Sequence, residues 1–244
     1  MRRCIILLFV ALFVECKKQL PPFVEPCNRN DPKMDECLAR NIKNLQPRLA
    51  KGVPELYIPQ FAPLIIEKAE LEPNKHIKIN MRNINLYHIE NFTLIDIKYD
   101  AKKMHLDLSL EWDSIGVEAD ATMKGILLNL NLDASGHAEG NLTNIKASGS
   151  LDLDRVYRKG VEYLTIKKTD LKIIIGKYVA VLDGLFGGDN ELSQKTNQIL
   201  NEHYKLIIEE FTPVIEQIVK AVVYERHENL FKRIIPLDVL FPEK

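Results

Sequence analysis

The sequence predicts an α+β fold: an elongated, strongly curved antiparallel β-sheet wrapped around a long C-terminal α-helix. Three observations point there. Residues from about Glu191 to Phe231 keep an i, i+3, i+4, i+7 apolar spacing, and a helix of that length would be on the order of 60 Å long at about 1.5 Å per residue. From Lys75 to Val181 the apolar period drops to two, the pattern of antiparallel strands with one wet face and one dry face. A compact domain of this size would be only on the order of 45 Å across, so the body must be drawn out along the helix. A two-faced sheet has to bury its dry face on something, and the strands lead directly into a single very apolar helix.

The chain begins with Arg2 and Arg3, then an apolar run from Ile5 to Val14, then Val14-Glu15-Cys16. A charged start, a short apolar stretch and small residues before the cut make a secretory signal peptide, residues 1–16, with cleavage before Lys17. The run is too short to span a bilayer. No other stretch is long and apolar enough for an anchor, so the product reads as soluble and secreted, with one domain over 17–244. Removal of the leader takes Cys4 and Cys16 with it and leaves Cys27 and Cys37. An even pair in an oxidising compartment reads as a disulfide. Zinc is the alternative, but no histidine lies near them at ligand spacing.

Asp35 to Ala50 reads as a first helix, with Cys37, Ile42, Leu45 and Leu49 on one side, Pro47 as a possible bend and Gly52 as the stop. Prolines 54, 59 and 63 then impose an extended course from Leu56 to Leu71. In the strand region Leu106, Leu108, Leu110 and Trp112 share the dry face. Ile126, Leu128, Leu130 and Leu132 read the same way as one strand, and Ile145, Ala147, Leu151 and Leu153, then Leu171, Ile173 and Ile175, continue the theme. Between Ile77-Ile79-Met81 and Ile84-Leu86 the parity slips by one, which predicts a bulge and a bent strand.

The C-terminal helix is not a coiled coil. Eleven of eighteen residues between Leu206 and Val223 are apolar, wider than an a/d seam, so most of its circumference is covered. Glu209, Glu210, Glu216, Gln217 and Lys220 interrupt it too often for a membrane span. Pro213 should kink it, giving one bent helix or two end to end. His203, among apolar positions, reads as a core histidine.

Groups that would carry chemistry are sparse. The six histidines are scattered, with no HExxH or paired i, i+4 arrangement, so no metal or other cofactor is expected. Ser148-Gly149-Ser150 is no nucleophile elbow. Gly184-Leu-Phe-Gly-Gly188 lacks the lysine and hydroxyl of a phosphate loop. Asp152 and Asp154 fall on the wet face as surface charge. A net charge of −1 on a mixed surface gives no footprint for nucleic acid. No catalytic residues emerge, and an enzyme is not expected.

A sheet curved around one helix leaves space wherever side chains are too short to meet, and such apolar voids take apolar molecules. The candidate lining residues are Leu106, Leu108, Leu110, Trp112, Leu128, Leu130 and Leu132 of the sheet, and Tyr204, Phe211 and Ile215 of the helix. Trp112 reads first as packing. Tyr87, Tyr99, Tyr163 or Tyr204 would supply a hydroxyl to a polar ligand end. Two sequons, Asn91-Phe-Thr93 and Asn141-Leu-Thr143, are glycosylation candidates. Asn141 points outward by parity and is the better one.

Four ordered motifs carry a family resemblance. Cys27-x9-Cys37 followed by Leu49-Ala-Lys-Gly-Val-Pro-Glu-Leu-Tyr-Ile-Pro59 and Pro63-Leu64 resembles the N-terminal signature of the insect takeout and juvenile-hormone-binding protein family. Leu185-Phe-Gly-Gly-Asp189 and the ending Ile235-Pro-Leu-Asp-Val-Leu-Phe-Pro242 resemble its later signatures. The resemblance spans the chain after the leader. It implies the tubular lipid-binding fold and a carrier of lipophilic small molecules, such as a terpenoid like juvenile hormone or a fatty acid, in haemolymph or another extracellular fluid. A monomer without stable membrane insertion is expected. The dedicated hormone carriers have a second, later disulfide, and nothing after Cys37 is cysteine here, so the chain is more similar to the takeout branch. The alternative reading is a secreted signalling or interaction protein that acts on a receptor or membrane, with the tunnel merely structural.

Overall fold

Among the described residues six antiparallel strands form one sheet: β1 (Leu64–Asn74), β2 (Ile77–Tyr87), β3 (Thr93–Asp100), β4 (His105–Leu127), β5 (Leu130–Arg158) and β6 (Val161–Asp183). The structure, a computed structural model, describes residues 20–184, 190–230 and 235–243. The leader at 1–16 and the Leu185–Asp189 motif lie outside the described residues. The sheet order is β1-β2-β4-β5-β6. β3 pairs with the first part of β4 and β2 with the last part, so the two lie in line along one side of it.

With 29 residues in β5, a straight strand would run to roughly 95 Å at about 3.3 Å per residue. The strands instead bend, and the change of side-chain parity shows where. The inward series in β4 passes from Trp112 to Ile115, in β5 from Leu142 to Ile145, and in β6 from Ile175 to Tyr178. The pairing places Asp113, Asn144 and Gly176 in one row across the three strands. Asn144 has φ 54°, and a Cβ on Gly176 would lie 2.8 Å from the Asn144 Cβ. Only glycine fits there, and the row forms a crease across the sheet. The bulge expected between Met81 and Ile84 is present as a register shift between Arg82 and Asn85, with Asn83 at φ 51°.

One strand of the expectation is in fact a hairpin. Ile126 to Leu132 does not run straight: Leu128 and Asn129, at φ 48° and 63°, make the two-residue turn between β4 and β5. Both residues adopt the left-handed conformation that such turns need, without the glycine that usually marks them. Ile126 is consequently 52% exposed, while Leu127 and Leu132 are in the core.

Helix α1 (Met34–Leu49) continues through Pro47. Gly52, at φ +80°, ends the following turn, where a Cβ would meet the Gln60 nitrogen at 2.8 Å. Instead of a plain extended course, residues 53–58 form a tight loop, with a 3-10 turn at Pro54–Leu56 and a bridge between Val53 and Ile58. The Cys27–Cys37 disulfide ties the preceding loop to α1. The C-terminal α4 (Leu237–Leu240) returns to the same end: Cys27 N–H donates to Leu240 O at 2.9 Å, and Phe241 stacks on Tyr99.

The long C-terminal run is two helices, α2 (Asn190–Glu202) and α3 (Tyr204–Leu230). The break falls at His203 rather than at Pro213, and His203 is exposed, not a core residue. Pro213 sits inside α3, in the turn where the Thr212 hydroxyl donates to Ile208 O at 2.6 Å.

Helix α3 packs against both β6 and β1, the two borders of the curved sheet, and so closes it into a tube. The fit of α2 and α3 to β6 is made by side chains that substitute for a missing strand. Asn201 accepts from Ala180 N–H at 2.8 Å and donates to Ala180 O at 2.7 Å. One helical turn earlier, Asn197 does the same for Leu182 at 2.9 and 3.2 Å. Glu216 accepts from Ile173 N–H at 2.8 Å. These bonds satisfy edge groups that would otherwise be buried without partners. β3 and the residue before it are treated likewise by α1, with Asp35 accepting from Tyr99 N–H and Gln46 donating to Phe92 O.

Candidate ligand cavity

Between the dry face of the sheet and α3 lies a cavity of about 420 Å³. Strands β1, β2, β4, β5 and β6 contribute the inward members of their alternation. Helix α3 contributes Ile207, Ile208, Phe211, Ile215, Ile218 and Val219. The crease described above keeps apolar side chains inward on both sides of the bend: Ile173 and Ile175 before it in β6, Tyr178, Ala180 and Leu182 after it. Small residues make the room. Ala121, Ala138, Gly140, Ala147 and Ala180 stand on the wall where longer side chains would reach across.

At one end Trp112 forms part of the wall. Its indole N–H donates to Ile89 O at 2.9 Å, and its ring meets Phe92 edge-on at 6.1 Å. Phe92 belongs to a second apolar cluster built on Leu49, Val53, Leu56 and Ile235, which backs that end. At the other end Leu71, Leu127 and Leu182 close in around Phe211.

Polar groups on the wall are few. Glu139 borders the cavity through its strand, but its side chain is 62% exposed on the outer face, 3.7 Å from His137. Tyr178 is the remaining hydrogen-bonding side chain, and burial pushes its phenol up to about 12. Among the described residues, no lysine, arginine or histidine lines the cavity, no cluster of three or more histidine, cysteine or acidic side chains is arranged to hold a metal ion, and no helix is long and apolar enough to cross a membrane.

Of the ten candidate lining residues, Trp112, Phe211 and Ile215 stand on the cavity wall. Leu132 is in the core behind it, with Leu128 and Leu130 packed against the same cluster at the hairpin. Leu106, Leu108 and Leu110 are half-buried further along β4, and Tyr204 is half-buried at the start of α3; none of the four reaches the wall. Nor do the four tyrosines considered for a polar contact. Tyr87 donates to Glu118 at 2.6 Å, Tyr99 faces Met104, and Tyr163 and Tyr204 are not on the wall. Tyr178 was hidden by the crease, since extending the Leu171-Ile173-Ile175 alternation turns it outward. The signal that could have exposed it is the glycine at 176, a hint of a bulge inside a strand pattern.

On the outer face Asp152 accepts from His105 Nδ1 at 2.6 Å and is surface charge, as its parity indicates. Asn141 is exposed in the middle of β5, with its side-chain oxygen accepting from Ser114 at 2.6 Å. Asn91 is exposed in the loop between β2 and β3.

The family model for haemolymph juvenile hormone binding protein matches residues 4–242. Among solved structures, Takeout 1 of Epiphyas postvittana superposes with a TM-score of 0.76 at 21% identity, over 89% of this chain and 99% of that one. It shares the fold, a curled antiparallel sheet packed on a C-terminal helix. Lipopolysaccharide binding protein matches at a TM-score of 0.37 and 15% identity, over 79% of this chain and 38% of that one, too weakly to bear on the fold. No curated protein matches the chain in sequence.

Proposed function

The chain belongs to the haemolymph juvenile hormone binding protein family, a family of non-enzymatic binding proteins, and on that premise we propose that it is a secreted carrier that holds one small lipophilic molecule in its internal cavity. The observation that carries this reading is a volume of about 420 Å³ with an almost wholly hydrocarbon wall. That volume falls within the roughly 300–1,000 Å³ of small-molecule sites. The physical work is desolvation. Burial is worth about 0.8 kcal/mol per methylene, so a fifteen-carbon chain gains on the order of 12 kcal/mol gross. Association and ordering costs reduce this strongly, to micromolar or nanomolar affinity. Terpenoids and fatty acyl compounds are the ligand classes of that size and character. No catalytic group is required.

The leader at residues 1–16 and the Cys27–Cys37 disulfide support a secreted product. Of the two sequons, the loop position of Asn91 favours it over Asn141, which stands in mid-strand with its side-chain oxygen taken by Ser114. The test is native mass spectrometry on protein secreted from a eukaryotic host, followed by organic extraction. The expected result is a mass beginning at Lys17 plus a discrete lipid that leaves on denaturation. A bare protein that also fails to take up terpenoids or fatty acids, followed by Trp112 fluorescence, would remove the carrier reading and leave the interaction-protein one.

A further inference from the structure

Among the described residues the cavity offers a ligand one uncommitted hydrogen-bonding side chain. Trp112 has already spent its N–H on Ile89 O, and the Glu139 carboxylate is on the outer face. The hydroxyl of Tyr178 has no hydrogen-bond partner among the described residues. Its ring lies over the inner face of β5, because a Cβ built on the inward-facing Gly140 comes within 3.9 Å of Tyr178 Cε2. That carbon is next but one to the oxygen, so the hydroxyl extends over the cavity face of the sheet. A single Cβ at Gly140 would only touch the ring, whereas a side chain reaching beyond Cβ would compete with it for that space.

We propose that the Tyr178 hydroxyl is the donor that positions the ligand, and that the ligand is a neutral lipid with a single acceptor oxygen (ketone, ester or ether) flanked by hydrocarbon on both sides. The proposal rests on the carrier reading and narrows it. Neutrality follows from the wall: it holds no cationic side chain among the described residues, and an unpaired carboxylate would be costly to bury there. The oxygen is internal because Tyr178 stands between two apolar clusters. It packs on the one containing Leu132 and Leu182, and its cross-strand neighbour Leu142 packs on the one containing Ile145 and Ile173. With its ionisation raised to about 12, the phenol keeps its proton at any physiological pH and acts as a donor.

The test compares pentadecane with its mid-chain ketone as displacers of a bound fluorescent dye, on the native protein and on Tyr178→Phe. A neutral hydrogen bond of ordinary net strength predicts that the preference for ketone over alkane falls by roughly three- to tenfold in the variant, while alkane affinity stays the same. An unchanged preference overturns the proposal and leaves the carrier reading intact. Failure of both compounds to displace the dye from native protein overturns both. Should Tyr178→Phe not fold, the carbonyl stretch of the ketone bound to native protein decides: a shift to lower wavenumber than in dry hexane supports the bond, and an unshifted band overturns it.

Discussion

His105 shows how a single residue on the wet face ties its environment to pH. Its Nδ1 lies 2.6 Å from Asp152 and its Nε2 3.2 Å from Asp107. The hydrogen bond to Asp152, helped by the charge of Asp107, holds the imidazolium above its ordinary value of 6.5. The raised value means that the folded state binds the proton more tightly than the unfolded chain does. This stabilisation is complete below about pH 6.5 and is lost as the pH rises through the folded-state value. A proton NMR titration should place His105 above 6.5, and Asp152→Asn should lower it. A midpoint at or below 6.5, unaffected by that change, would show that the pair does not form in solution. Residues of this kind were legible in part. Alternation puts Asp152 outside and Trp112 inside, where both are found. Carried on past Ile175 to Tyr178 it fails, because parity holds only up to the next bulge, and Asn144 and Gly176 reverse it by backbone geometry of which the glycine is the one trace in the sequence.

At the scale of elements, the seam between α2–α3 and β6 is the least usual contact, because helix side chains complete the hydrogen bonding of a strand. Asn197 and Asn201 are one helical turn apart, and Leu182 and Ala180 are one strand repeat apart, so the two spacings match at about 6 Å. Replacing Asn201 with Ala leaves both the N–H and the C=O of Ala180 without a partner in a half-buried seam. We expect the loss to be about 1–3 kcal/mol, read as a lower urea midpoint with an unchanged slope. Asn201→Asp, which can accept but not donate, should recover part of it. Equal midpoints for native protein and the Ala variant would mean that water takes over the seam. The existence and type of the helices and most strands were legible because their apolar periods are long. The hairpin at Leu128-Asn129 was not, because no glycine marks the turn. The helix break was not, because nothing about His203 is intrinsically helix-breaking, whereas Pro213 draws attention and is accommodated.

For the molecule as a whole, the question is why so large an apolar space stays open. On the scale of about 24 cal/mol per Å³ found for cavities cut into well-packed cores, a fully closed void of about 420 Å³ would correspond to on the order of 10 kcal/mol, an upper bound for a space that is partly open to solvent. That equals the whole stability of a typical domain. Collapse is resisted by the architecture itself. The crease sets the curvature of the sheet, the seam side chains fix the helix against β6, and the loop held by Cys27–Cys37 together with the returning C-terminus closes one end. The sequence foretold a curved sheet on a long helix, and hence a space. The size and position of that space depend on where parity reverses and on which small residues face inward, and those come from three-dimensional register. An open frame that forgoes this much packing should gain stability when the space is filled. Protein stripped of lipid by organic extraction and refolded is expected to melt below the secreted form. Restoring a bound lipid at about a hundred times its Kd should add about 2.7 kcal/mol, or roughly 5–10 °C in Tm for a domain of this length. The gain should be abolished by Ile215→Trp, which places a larger ring on the helix side of the wall, while the variant itself melts no lower than stripped native protein. If added lipids leave the melting of stripped native protein unchanged, the space is not a ligand site, and the frame holds it open for some other reason.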